Sequence, residues 1–319
     1  MRRLLRGLAV LTTLGMFVVL VMGALVTTTG SGHGCNNTWP LCNGRFIPEY
    51  TVSALIEWSH RAVTGIVSLL ALALAVGTTA LYRRRRETWV LVPAMIVFLI
   101  LQAALGAIAA GTHETPAVLA LHFGVSLISF ASIALTTAFL FGLRGGDALR
   151  DRPVARGTRW LILGTLAYTY VVVYSGAYVR HSGSMLACFD WPLCTNTAGV
   201  PLFSAYVLSQ LAHRAAAGAL TLVVIVLWLN VRRARAARPD LYRGATAALA
   251  TVALQALSGG IVVLSRAGLI TQLLHAGLVS LLFISLAYLA YGLIPRRVCL
   301  PRSEGARTPR PSAVGASAK

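Results

Sequence analysis

Eight apolar blocks dominate this chain, and each is about as long as the ~20-residue helix that crosses a hydrocarbon core. They fall at roughly 8–29, 58–82, 88–110, 116–143, 159–180, 206–231, 243–264 and 271–294. A short polar or basic stretch follows each block. No soluble core of 319 residues needs eight of them. Composition agrees: 57% of residues are hydrophobic and 12% charged, about half the charged fraction of a typical soluble domain. The expected class is an all-α integral membrane protein.

The net charge of +19 raises the question of nucleic acid. The arginines, however, sit in short clusters between apolar blocks and do not line one soluble face. Arg2, Arg3 and Arg6 precede the first block, and Arg83 to Arg86 follow the second. Arg144, Arg150, Arg152, Arg156 and Arg159 separate the fourth and fifth. Arg232, Arg233, Arg235, Arg238 and Arg243 separate the sixth and seventh, and Arg296 and Arg297 follow the eighth. If the spans alternate, all of these share one side, while the other loops hold only Arg45, Arg180 and Arg266. Basic loops stay cytoplasmic. The expectation is therefore a multi-pass protein of the bacterial cell membrane, surrounded by lipid, with both termini cytoplasmic and no nucleic-acid partner. The basic start resembles a signal peptide, but the apolar stretch after it is too long and no small-x-small site follows, so it reads as a retained first helix. The tail, 296–319, is rich in Arg, Pro, Ser and Gly and reads as a disordered cytoplasmic segment.

The two halves repeat. Glu57-Trp58-Ser59-His60-Arg61 with Gly65 aligns with Gln210-Leu211-Ala212-His213-Arg214 with Gly218. Leu101-Gln102-Ala103 with Gly106 aligns with Leu254-Gln255-Ala256 with Gly259, and Leu121-His122 with Gly124 aligns with Leu274-His275 with Gly277. The offset is constant, since 213 − 60, 255 − 102 and 275 − 122 each equal 153. Trp39-Pro40-Leu41-Cys42 recurs as Trp191-Pro192-Leu193-Cys194. This pattern points to duplication. With four spans per half, both copies keep one orientation, a parallel repeat. The expected organisation is two tandem four-helix bundles, 1–150 and 151–295.

Of seven histidines, His60, His122, His213 and His275 lie in apolar spans, near one end of each even-numbered span. Ionisable groups are costly there and usually functional. Two imidazoles per half, on the second and fourth helices of each unit, are what a haem iron needs as axial ligands between facing helices. The plainer alternative is hydrogen bonding to a neighbouring helix, which duplication of all four at one offset disfavours. Gly65, Gly106, Gly124, Gly218, Gly259 and Gly277 either admit a flat macrocycle or serve close helix packing. Arg61 and Arg214 are candidate propionate contacts, or they snorkel to lipid phosphates. Glu57 lies one turn from His60 and is replaced by Gln210 in the second half. It is either a proton-transfer group peculiar to the first half or a solvated interfacial carboxylate. Cys35 with Cys42 and Cys188 with Cys194 lie in outer loops at spacings unlike zinc ligands. On an oxidising face they should form two intra-loop disulfides, stapling lids over the sites or exchanging with a thiol partner. Cys299 reads as a free cytoplasmic thiol, and His33, His113 and His181 as solvated loop residues.

A duplicated four-helix unit with Glu-x-x-His-Arg on its second helix, His on its fourth and Cys pairs in loops one and five resembles the haem A synthases, over about residues 8–294. The resemblance implies oxidation of the C8 methyl of haem O to the formyl of haem A by two hydroxylations and loss of water. It implies that His60 and His122 hold substrate haem O, that His213 and His275 hold a haem b cofactor, and that Glu57 takes part in the chemistry. It also implies a haem O synthase (a protohaem farnesyltransferase) upstream, and cytochrome oxidase assembly downstream. The competing reading is a non-enzymatic di-haem b, quinol-linked electron carrier, and a third is a haem or solute transporter. Carriers of that kind usually have haems on both sides of the bilayer, whereas here all four His lie towards one.

Overall fold

The computed structural model describes residues 1–294 apart from 37, 49, 112–114, 143–146 and 198. Expectations for His113, Arg144, Arg296, Arg297, Cys299 and the tail fall outside the described residues. The described chain is all-helical: α1 (Arg2–Thr28), α2 (Val52–Tyr82), α3 (Arg86–Gly111), α4 (Pro116–Gly142), a single turn α5 (Asp147–Arg150), α6 (Arg156–His181), α7 (Ala205–Arg232), α8 (Pro239–Leu264) and α9 (Leu269–Tyr291). All but α5 are long and apolar enough to cross a membrane, and the chain is a multi-pass membrane protein. The helices run alternately between an end bearing the cysteine loops and an end rich in arginine.

The spans fall close to where hydropathy puts them, with two differences. α1 continues back through its basic start to Arg2. α2 begins at Val52, well before residue 58, with the Thr51 side chain accepting from the Ala54 N–H at 3.3 Å. Its first turns lie beneath a polar loop, so their sequence is mixed and hides them from a hydropathy reading.

α1, α2, α3 and α4 pack in a ring, each against its neighbours, and the diagonal pair α2 and α4 is not closely packed. α6, α7, α8 and α9 form a second ring, and in both rings the two diagonals are less closely packed than the sides. The rings meet through α1, α4, α6 and α9. At that seam Gly124 lies against Tyr170, and a Cβ on it would stand 2.7 Å from the hydroxyl. Gly277 lies against Phe17, where a Cβ would stand 3.4 Å from the ring. These two glycines are helix-packing contacts, as small residues commonly are between membrane helices.

The arginine-rich end is more than a run of solvated charge. Glu87 is buried and accepts from Arg85 at 3.1 Å and from Arg150, which α5 carries in from the connector between the rings. Arg238 is buried too, pairing with Asp240 at 2.7 Å and donating to the carbonyls of Gly292 and Arg152. A buried charge of this kind persists only when paired and hydrogen-bonded, so these ties hold the connector and both rings in register.

Candidate functional site

His60 on α2 faces the ring whose diagonal partner, α4, carries His122. His213 on α7 and His275 on α9 stand likewise in the second ring. Each is about two turns in from the cysteine-loop end of its helix, so the four share one level. His60 and His122 lie within range of each other's charge, as do His213 and His275.

Each imidazole leans against a glycine of the helix before it. A Cβ on Gly23 of α1 would stand 3.4 Å from His60 Cε1, and one on Gly106 of α3 would stand 3.3 Å from His122 Cε1. For Gly176 of α6 and His213 the distance is 2.6 Å, and for Gly259 of α8 and His275 it is 3.2 Å. Gly106 and Gly259 were singled out by sequence, whereas Gly23 and Gly176 were not. The repeat offset connects the latter two, and tracing it through the first span of each half would have found them. Gly65 and Gly218 meet nothing within 4 Å, so they are not packing contacts between helices.

The ring nitrogens differ between halves. His213 Nδ1 is 2.9 Å from Ser175 Oγ, and His275 Nδ1 is 2.8 Å from Ser258 Oγ. The Gln255 amide also reaches His275 Nε2 at 3.1 Å. In the first half the Nδ1 atoms of both His60 and His122 are buried without a hydrogen-bond partner. The backbone carbonyl of Gln102 lies near the His122 ring, as those of Val172 and Gln255 lie near His213 and His275.

This donor set fits an iron porphyrin. Among the described residues no three His, Cys, Asp or Glu side chains converge on a bare metal ion. The two imidazoles that face each other across a diagonal would hold an iron porphyrin between them, which would supply redox chemistry there. Glycine behind each ring leaves room for the imidazole itself.

Glu57 is not a solvated interfacial carboxylate. It is 4% exposed; Oε2 accepts from the Cys35 N–H at 2.9 Å, and Oε1 accepts from Arg61. Arg61 also donates to the Thr38 carbonyl. Gln210 keeps the same frame with an amide. It accepts from Arg214 at 3.1 Å and donates to the Met185 carbonyl, while Arg214 reaches the carbonyls of Pro192 and Leu193. Both arginines therefore clasp their loops.

Cys35 is bonded to Cys42 and Cys188 to Cys194, with Cα separations of 4.7 and 5.3 Å. Cys35, Cys42 and Cys188 are buried, each pair against the first turns of the histidine-bearing helix that follows. Burial of this kind keeps attacking thiolates away and favours the staple over the exchange partner. Gly34 sets the first loop flush on α2, because a Cβ there would lie 2.5 Å from the Ser53 backbone. The second loop reaches across to α8, where Trp191 lies on Gly260 and Arg266 stacks on Phe189 at 3.8 Å. Within it, the Thr195 hydroxyl and N–H donate to Asp190 and lower its carboxyl to about 2. His33 is exposed in a helical turn, whereas His181 is not a loop residue: it closes α6 and is half-buried.

The family described as Cytochrome oxidase assembly protein (COX15-CtaA) matches residues 6–287. Proteins named Heme A synthase are similar over most of the chain. That of Bacillus licheniformis is 43% identical over 288 residues, covering 90% of this chain and 95% of its own length. That of Bacillus pumilus is 43% identical over 292 residues, covering 90% and 94%. One from Bacillus cereus is 40% identical over 290 residues, covering 91% and 93%.

Proposed function

The chain belongs to the COX15-CtaA family of cytochrome oxidase assembly proteins, and from that membership we propose that it is a haem A synthase. It takes haem O as substrate, hydroxylates the C8 methyl group twice, and releases haem A once the geminal diol loses water. The observation that carries the reading is the pair of open helix diagonals, each spanned by two imidazoles with glycine behind every ring.

In this reading residues 1–150 form the substrate unit and residues 151–295 the cofactor unit. His60 and His122 hold haem O, and His213 and His275 hold haem b. Haem b, when bound, supplies one-electron transfer. The chain's own residues supply the rest. The four imidazoles share a level near the cysteine loops, where Arg61 and Arg214 would meet the propionates of bound haems. A guanidinium has five N–H donors, which lets each arginine serve a propionate while retaining its loop. The stapled loops keep water off the sites. Glu57 is the proton-transfer group, present in the first half alone, and its carboxylate sits one turn of α2 from His60. The arginine-rich end faces the cytoplasm of a bacterial cell, both termini lie inside, and the disulfide loops face out, following the basic-loop rule. A haem O-forming farnesyltransferase supplies the substrate and cytochrome oxidase assembly consumes the product.

Glu57→Gln tests this with little structural disturbance, because Gln210 already fills the same frame against Arg214. The variant is expected to purify with haem O bound and with haem A formation lowered by about 10²–10⁴-fold, the usual worth of a positioned proton-transfer group. Wild-type haem A output from that variant would remove Glu57 from the reaction.

A further inference from the structure

Two serines stand behind the second pair of imidazoles, and each hydroxyl reaches both a helix carbonyl and an imidazole nitrogen. Ser175 Oγ donates to the Val172 carbonyl at 2.8 Å, and Ser258 Oγ donates to the Gln255 carbonyl at 2.9 Å. A serine hydroxyl has one proton. A proton directed at the helix carbonyl leaves the oxygen to accept from His213 or His275, and in that arrangement each Nδ1 carries hydrogen. Nε2 is then the lone-pair nitrogen, and the Gln255 amide that reaches it in His275 at 3.1 Å would give way to a haem iron. The repeat offset of 153 aligns Ser175 with Met22 and Ser258 with Leu105. Leu105 cannot accept from an imidazole and Met22 offers only a weakly accepting thioether, and both first-half Nδ1 atoms are left unpartnered.

We propose that Ser175 and Ser258 are positioning residues that lock His213 and His275 in the Nε2-ligating tautomer, making the second site a permanent haem holder, and that their absence leaves His60 and His122 as exchangeable ligands. This deepens the haem O and haem b assignment above and rests on it. Hydrogen bonding at the far nitrogen orients a ligating imidazole and raises its basicity. A resident cofactor must stay through every turnover, whereas a substrate must arrive and leave. The distribution of two serines matches that division.

The test uses the full chain purified with its resident haem b. Ser175→Ala, Ser258→Ala and the corresponding Thr variants are compared for the rate of haem b loss to a scavenging apoprotein, and for carbon monoxide binding to the reduced haem. Alanine keeps the helix, so the chain should fold. Each Ala variant is expected to lose haem b about 10–100-fold faster, the usual effect of removing such a partner, and to bind carbon monoxide where the wild type does not. Thr restores the hydroxyl and should return both readings towards wild type. The converse change, Leu105→Ser, should slow release of haem from the first site. Wild-type protein with haem b, and Ala variants that hold it equally well, would overturn the serine role alone. So would Thr variants that behave like Ala. Wild-type protein without haem b would overturn the site assignment and this proposal together.

Discussion

The two rings share one four-helix arrangement with a pair of imidazoles in each, yet they finish it differently. In the second, both histidines are backed by serine, residue 210 is an uncharged amide, and the overlying loop reaches α8 through Trp191. In the first, both Nδ1 atoms lack partners, a buried carboxylate stands at the corresponding position, and Trp39 of the loop is 57% exposed. Under the proposed function, one ring retains its haem and the other reacts and releases. A handful of side chains makes the two rings unequal.

The comparison breaks most readily at the ligands. His213→Ala or His275→Ala should abolish haem b and activity together. His60→Ala or His122→Ala should abolish haem A formation while leaving haem b in place, as read by extraction of the bound haems. Loss of haem b from the His60 variant would mean the rings are not separate sites. Next in size is the exchange at residues 57 and 210. Gln210→Glu should not rescue Glu57→Gln, since the carboxylate then stands beside the wrong macrocycle; haem A restored in the double variant would show that the halves are interchangeable.

Smaller effects sharpen the contrast. Gly176→Ala puts a methyl 2.6 Å from His213 Cε1, whereas Gly23→Ala comes no nearer than 3.4 Å to His60. The first should cost about 1–3 kcal/mol by overpacking and lower haem b content. The second should be close to neutral, since alanine also gains up to about 1 kcal/mol in a helix; thermal unfolding followed with haem content would separate them. Gly34→Ala should lift the first loop from Ser53 and loosen Glu57, seen as faster proteolysis of that loop, while Ala187 shows that the second loop accommodates a methyl at the corresponding position. Smallest is Asp190. Its folded carboxyl is lowered to about 2, chiefly by the Thr195 hydroxyl, below the ordinary value of about 3.9. The ionised form therefore steadies the second loop above about pH 4, and that contribution fades as pH falls towards 2. Asp190→Asn should remove this acid sensitivity from the second loop only, read by limited proteolysis against pH.

Much of this was legible in the chain itself. Eight spans, four intramembrane histidines at one offset and two cysteine pairs follow from length, charge cost and spacing, signals that survive without coordinates. The remainder depends on which face a residue presents. Ser175 and Ser258 resemble the many serines here that merely bond their own helix carbonyls, and only the position of a second helix shows an imidazole at the same oxygen. Glu57 lies near a predicted helix end, where a carboxylate normally meets water, and nothing local reveals the loop that buries it. Arg150 and Arg238 read as orientation markers because charge counting ignores partners, yet both are buried in ion pairs.

The most direct measurement is the haem composition of the purified wild-type chain, taken by acid extraction and chromatography against protein concentration. The account predicts one haem b per chain together with haem O or haem A, and loss of haem b alone when His213 or His275 is replaced. A chain without Soret absorption, or one whose two sites both carry haem b, would contradict it.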